Sequence, residues 1–283
     1  MLRLTIPWIW RHPLARRQRW QAYSRYVRWQ IRCRVRPRPQ QVPWVNNTRL
    51  LLQPGMTGAS GNWYVGLHEW PDMAFVLHLL RPHDTFVDVG SNVGSYSVLA
   101  AGAIGAGVIA VEPSPEAAAG LRMNLEVNGI QDRCHIVQAC LGAEPGVLPF
   151  SVDRGPMNAV VSATFSGPSR QVPVLRLDDL AGAEQACCWK LDVEGFEQQV
   201  LDGAASLLAQ PALKVVLLED RSSAVIERMQ AAGFRSFSYN PWTRLLSPDQ
   251  ASLGGNQIWI RDEAWAADRL RTAPPFRVTG LDI

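Results

Sequence analysis

Three acidic residues in this chain directly follow short, mostly apolar runs, and a glycine or proline comes soon after each. The first is Asp88, opening Asp88-Val-Gly90-Ser91-Asn92-Val-Gly94 after Thr85-Phe-Val. The second is Glu112, which lies 22 residues beyond Gly90 and precedes Pro113 after Gly107-Val-Ile-Ala-Val. The third is Asp192, in Asp192-Val-Glu194-Gly195 after Trp189-Lys190-Leu191. Glycines at 90 and 94 let backbone approach a ligand closely and permit a tight turn from strand into helix. An acid at the end of the next strand is placed to accept hydrogen bonds from ribose hydroxyls.

The glycine spacing narrows the nucleotide. Asn92 and Ser95 stand where a dinucleotide fingerprint needs its second and third glycines, so the bare backbone that receives a pyrophosphate is missing. S-adenosylmethionine fits better: it brings a carboxylate and an amine to the loop, and a cationic sulfonium that an acidic pocket tolerates. Asp88, Gly90, Ser91, Asn92, Gly94, Glu112 and Pro113 are the expected cofactor residues, with Ala139 at the end of a third strand. Asp88 is expected beside the amino acid moiety.

Methyl transfer needs alignment and removal of a proton from a poorly acidic alcohol. Positioning supplies up to ~7–11 kcal/mol in the best cases, and a general base adds about 10²–10⁴-fold. Asp192 is the first candidate for base or substrate orienter and Glu194 the second. The structural alternatives are a helix cap for Asp192 and an Arg partner for Glu194. His68 is a further candidate base, since an unperturbed imidazole titrates near pH 6.5; His78, His83 and His135 read as structural. Lys190 and Asp192 alternate, so a regular strand points both to one face, as a buried ion pair or a substrate contact. Glu219, ending another apolar run, either lines the same cleft or lies on the surface.

The elements that must position these residues alternate. Apolar runs at Thr85–Val89, Gly107–Glu112, Cys134–Ala139, Trp189–Val193 and Leu213–Glu219 read as strands, nearly continuous because helices cover both sheet faces. Between them, helices are predicted over Ser95–Ala103, from Pro115 with Ser114 as N-cap to Asn128-Gly129, and around Glu197–Leu208. A helix over Ser222–Ala232 and two edge strands, Arg235–Tyr239 and Gln257–Arg261, follow. The fold predicted is α/β, a doubly wound Rossmann-like sheet, mostly parallel with an antiparallel edge. Earlier, Val42–Gly66 reads as short strands and turns, and Glu69–Leu80 as a helix ended by Pro82. Phe150–Arg170 reads as a loop and, with 42–70, as the acceptor-recognition segment.

Charge is unevenly spread. Residues 1–68 hold twelve Arg and no acid, whereas the rest holds 16 basic and 25 acidic residues. Within the first 45 residues, Arg16–Arg36 predicts a helix with Trp20, Tyr23, Val27 and Ile31 on one side. Either this basic extension packs its aromatic stripe on the acidic body, the reading favoured here, or it grips anionic lipid or another polyanion. The five Cys form no C-x-x-C pattern and no metal site is expected. Leu4–Trp10 is too short for a signal peptide and no run is long enough to span a bilayer, so a cytoplasmic location, with possible peripheral membrane contact, is expected. The boundaries expected are 1–45 for the extension, 46–82 for strands and a helix covering the pocket, and 83–283 for the catalytic domain.

The blocks Phe86–Gly94, Val108–Pro113, Asn124–Gly129, Leu177–Leu180 and Lys190-Leu-Asp-Val-Glu-Gly195 together resemble the FkbM-type methyltransferases, over roughly Thr85–Glu219. Gly255–Ile260 resembles the family's closing strand and Tyr64–Glu69 the approach to its first motif. Ser91 stands where that family often has Ala. The resemblance implies an O-methyltransferase using S-adenosylmethionine on hydroxyls of sugars, glycolipids or small metabolites. The Arg- and Trp-rich start motivates a second reading, a nucleic-acid methyltransferase. The acidic body and the missing Asn/Asp-Pro-Pro-Tyr/Phe block at Asp192 speak against it. A non-catalytic cofactor-binding module on the same scaffold is opposed by the acids at 88, 112 and 192.

Overall fold

A computed structural model describes residues 2–152, 158–162, 165–248 and 255–283. Its centre is an eight-stranded sheet in the order β12-β11-β13-β10-β9-β3-β4-β5. These strands are β3 (Thr85–Val89), β4 (Gly107–Val111), β5 (Cys134–Val137), β9 (Ala186–Leu191), β10 (Val215–Leu218), β11 (Arg235–Asn240), β12 (Leu245–Pro248) and β13 (Gln257–Ile260). From β5 to β10 all neighbours are parallel, and β13, β11 and β12 complete the sheet antiparallel. The chain winds outward from β3 in both directions, so the order reverses at β3, where such sheets open a ligand crevice.

Register fixes the crevice residues. Asp88 pairs with Ala110 on β4 and with Lys190 on β9, and Val89 with Val111 and Leu191. Gly90, Glu112 and Asp192 are therefore the next residues on three adjacent strand tips. Alternate residues of these strands enter different cores. Phe86, Val108, Cys188 and Leu217 join one buried cluster, and Val87, Ile109, Trp189 and Val216 the other. Burial on both faces explains why the runs read as unbroken apolar stretches.

The predicted caps are present. Ser114 Oγ accepts from Ala117 N at the start of α7 (Pro115–Asn128), which ends on left-handed Gly129. Ser222 caps α10 (Ser223–Ala231) in the same way. The predicted edge strands do pair, but β13 lies inside the sheet between β10 and β11, with β12 outermost.

Several elements differ from the sequence reading. Thr57–Val65, read as turn, is helix α4, and its Gly61 cannot carry a side chain because a Cβ there would lie 2.2 Å from His68 Nδ1. The helix expected over Glu197–Leu208 breaks into α8 (Glu197–Asp202) and α9 (Ala205–Leu208). At the break a Cβ on Gly203 would sit 2.0 Å from the Gly142 carbonyl oxygen. The helix expected over Ser95–Ala103 is α6 (Ser95–Val98), continued as a wider π turn over Leu99–Ile104. The loop read over Phe150–Arg170 is part of a hairpin, β7 (Gly146–Ser151) and β8 (Ser169–Leu175), in a separate sheet with β6 (Cys140–Leu141). Of that segment, Gly155-Pro156-Met157 lies outside the described residues.

Residues 2–35 hold α1 (Leu2–Arg11), α2 (Pro13–Arg17) and α3 (Arg19–Val35). The helix expected over Arg16–Arg36 runs from Arg19 to Val35 after a break at Gln18, and of the stripe expected to pack, Tyr23 is half-buried against the core while the other three face outward. Trp20 is 86% exposed, Val27 50% and Ile31 55%, while Ala22, Tyr26 and Trp29 are buried. Ala22 permits close approach, the Tyr26 ring meets Tyr64 edge-on at 5.1 Å, and Arg25 donates to the Tyr64 carbonyl. The hairpin of β1 (Gln40–Pro43) and β2 (Arg49–Leu52) hangs on α7, whose Asn124 and Asn128 accept from Leu51 N and Arg49 N.

Candidate active site

The strand tips at 90, 112 and 192 open into a cavity of ≈ 330 Å³. Its first wall is the bend after β3. Gly90 has φ +76°, and a Cβ there would lie 1.9 Å from the Asp192 carbonyl oxygen. Glycine is thus required both by the left-handed backbone and by contact between two strand tips. Asn92 also has a positive φ, 50°, a conformation that asparagine tolerates better than most residues.

Glu112 ties this bend to the neighbouring strand. One carboxylate oxygen accepts from Asn92 N and the other from Ser114 N, each at 2.8 Å. Burial pushes its pKa up to about 7, against these two bonds, which lower it. Its remaining lone pairs are available to ligand hydroxyls in the cavity it lines. Asp88 is fully buried and accepts from Ser97 Oγ at 2.6 Å; burial raises it to about 6, with the Lys190 charge opposing.

Asp88, Gly90, Ser91, Asn92, Glu112, Pro113 and Ala139 all line the cavity. Gly94 does not. It starts α6 with φ +85°, and its missing Cβ would meet Leu121 Cδ1 at 2.3 Å. It shapes the turn from behind and is not a wall of the pocket.

Asp192, Glu194 and His68 also line the cavity. Asp192 Oδ2 receives Lys190 Nζ at 2.6 Å, with Lys190 only 2% exposed. Burial alone would lower this lysine's pKa, but the carboxylates of Asp192, Glu69 and Asp88 raise it above its ordinary value. It is a fixed cation. Asp192 is thus not a helix cap: α8 begins at Glu197 after Phe196, with no side-chain cap. Glu194 stands exposed on the rim with φ +54° and makes no ion pair with any described residue. Burial, then the Asp192 charge, raises its pKa. His68 packs against the Trp8 ring at 4.8 Å, and its buried Nδ1 has no hydrogen-bond partner among the described residues. Burial lowers its pKa, keeping the ring neutral near pH 7.

Further residues complete the wall. Tyr96 donates to Glu69 Oε2 at 2.6 Å, and Lys190 Nζ lies 4.8 Å from the Tyr96 ring centre. Asn62 accepts from His68 N and donates to Ser95 Oγ, fastening α4 to the bend. Tyr96 was visible only as the second residue after Gly94, a position that reads as ordinary helix core. Glu219 opens into the cavity, its pKa raised to about 7 by burial and then by the Asp192 charge. Phe150, Asn158 and Val160 enter from the β7–β8 hairpin.

The donor set tests the expected ligand. Six carboxylates (Glu69, Asp88, Glu112, Asp192, Glu194 and Glu219) face one lysine already paired to one of them. A diphosphate would meet uncompensated repulsion. A sulfonium nucleoside with an ammonium group meets complementary charge, so these residues fit S-adenosylmethionine.

Comparison with known proteins accords with this. A family profile described as the methyltransferase FkbM domain matches residues 88–240. No curated protein matches the chain in sequence. Among solved structures, a ribosomal protein L11 methylase from Lactobacillus delbrueckii subsp. bulgaricus is 13% identical, over 69% of this chain and 78% of its own, with TM-score 0.42. A precorrin-6y C5,15-methyltransferase from Geobacter metallireducens is 14% identical over 69% and 86%, with TM-score 0.40. An RNA methyltransferase from Salinibacter ruber, in complex with S-adenosyl-L-homocysteine, is 17% identical over 67% and 87%, with TM-score 0.38. At these scores none bears on the acceptor. The family match spans more than half of the chain, which belongs to the FkbM methyltransferases and uses S-adenosyl-L-methionine as its cofactor.

Proposed function

We propose that the enzyme methylates a hydroxyl oxygen of a sugar, glycolipid or small metabolite. The carrying observation is Asp192: one oxygen is fixed by Lys190, and the other makes no hydrogen bond with any described residue in a cavity open to an acceptor. A carboxylate so held is built to receive a hydroxyl. A nucleic acid is disfavoured because its phosphates would enter past Glu194 and Glu219.

When bound, the cofactor supplies a methyl group activated by its cationic sulfur. The protein contributes position and a path for the proton. Gly90, Ser91 and Asn92 form the bend that receives the nucleoside, Asp88 lies toward the amino acid moiety, and the free lone pairs of Glu112 take the ribose hydroxyls. Asp192 orients the acceptor hydroxyl, and the Lys190 ammonium beside it holds its carboxylate in place. Glu219, with a pKa of about 7, is matched to take the proton at neutral pH. His68 and the Tyr96–Glu69 pair close the cavity on the α4 side, and the hairpin carrying Phe150 and Asn158 contacts the acceptor.

The test is incubation of the enzyme and labelled cofactor with fractionated glycan, glycolipid and RNA pools. Label that survives base treatment as a methyl ether in the glycan or lipid fraction supports the reading. Label confined to RNA, or found on nitrogen or carbon, refutes it.

A further inference from the structure

The outward face of α3 is not what a solvent-facing helix of a folded domain normally presents. At 100° per residue, Trp20, Val27 and Ile31 fall within about 40° of one another, opposite the buried Ala22, Tyr26 and Trp29. Val35, 70% exposed, continues the stripe. Beside it α1 presents Ile6 and Trp10, also exposed and one turn apart. The two helices are joined there, since Arg19 lies 3.9 Å over the Trp10 ring and Tyr23 donates to the Ile6 carbonyl. Exposed apolar side chains of both helices thus stand on adjoining elements, and such clustering marks interaction sites.

Its borders are cationic. Arg28, Arg32 and Arg34 are exposed along α3, and no arginine of residues 11–38 makes an ion pair with a carboxylate among the described residues. Because no acid precedes Glu69, a second copy of this face would be repelled. A polyanion would satisfy the guanidinium groups but give nothing to the aliphatic meridian of Val27, Ile31 and Val35. An anionic bilayer satisfies both. Aliphatic side chains and indoles enter the acyl boundary, and arginines reach up to the headgroups. None of the described helices is long and apolar enough to cross a membrane, so contact would be in the interfacial plane.

We propose that α1 and α3 form a docking face for an anionic lipid bilayer. The inference is independent of which acceptor is methylated. Its inner side reaches the site: Trp8 of α1 packs on His68, and Arg25 of α3 is fastened to α4, which lines the cavity.

Co-sedimentation of the full chain with phosphatidylcholine vesicles, with and without on the order of 30% phosphatidylglycerol, tests it. Binding is expected to the anionic vesicles alone and to weaken with salt. The variant Trp20→Ser/Val27→Ser/Ile31→Ser is expected to lose about tenfold or more in vesicle affinity, and Arg28→Gln/Arg32→Gln/Arg34→Gln a comparable amount. Both variants should bind cofactor as the parent does; if the triple apolar variant does not, Ile31→Ser alone is compared, with a smaller loss of the same sign. Absence of binding to anionic vesicles at low salt overturns the proposal, as does unchanged binding by the apolar variants. Polyuridylate binding tighter than vesicle binding and indifferent to those substitutions would assign the face to a polyanion. A dimer dissolved by them would assign it to a second copy. Either result also overturns the proposal.

Discussion

Glu112 accepts the backbone N–H of Asn92 at 2.8 Å across the gap between two strand tips. The acid expected to hold a ribose therefore also holds the bend proposed to receive the rest of the nucleoside. Its second oxygen, on Ser114 N, anchors the start of α7, so loop, strand and helix meet at one carboxylate.

Replacing Glu112 with Ala should weaken cofactor binding by ~1.5–3 kcal/mol, from lost charge-assisted hydrogen bonds. Titration calorimetry reads this directly. An unchanged Kd would remove Glu112 from the cofactor site and leave it a brace for the bend.

Glu112 also links stability to pH. Its folded pKa of about 7 lies above the ordinary 4.5, so the folded state holds the proton longer than the unfolded chain. That contribution is complete below about pH 4.5 and is lost as pH rises through 7. Glu112→Gln cannot ionise, so its Tm relative to the parent should rise between pH 5 and 8 on top of a constant offset from the lost acceptor. A flat difference would place the carboxylate's pKa near its ordinary value.

Asp192→Asn should lower methyl transfer by about 10²-fold or more while leaving cofactor Kd within about tenfold. Steady-state rates with the identified acceptor, paired with calorimetry, separate the two. Full activity would exclude Asp192 from the reaction.

If Glu219 takes the proton, kcat/KM should rise with pH through about 7 and level off. Glu219→Gln should remove that rise and lower the plateau. A variant that keeps the parent's profile would point to another base, with Glu194 next to be replaced.

Gly90→Ala places a methyl group 1.9 Å from the Asp192 carbonyl oxygen on a backbone with φ +76°. A cost of about 3 kcal/mol or more is expected from strain and clash together, seen as a fall in Tm. An unaltered Tm would show that the two tips separate freely.

Much of this was legible in the residues. Asp88, Glu112 and Asp192 end apolar runs, and strand ends at the reversal of a parallel sheet must converge, so the cleft follows from pattern alone. Sequence gave no sign of the direction α3 faces. Trp20, Val27 and Ile31 are as apolar as Ala22, Tyr26 and Trp29, and which stripe is buried depends on Tyr64 and α4, far along the chain. α4 itself was hidden by Gly58 and Gly61, residues that read as turn until His68 is seen to need the space. Gly94 carried a ligand signature but answers to Leu121. The Lys190–Asp192 pair was visible as alternation, whereas burial turned it from two options into one.

The hairpin of β7 and β8 adds Phe150, Asn158 and Val160 to the cavity, yet its ladder runs to β6 and, among the described residues, not to the eight-stranded sheet. Lengthening or exchanging it would shift no register among the strands that carry Gly90, Glu112 and Asp192. The roof can therefore diverge to admit new acceptors while the floor proposed to hold the methyl donor stays as it is.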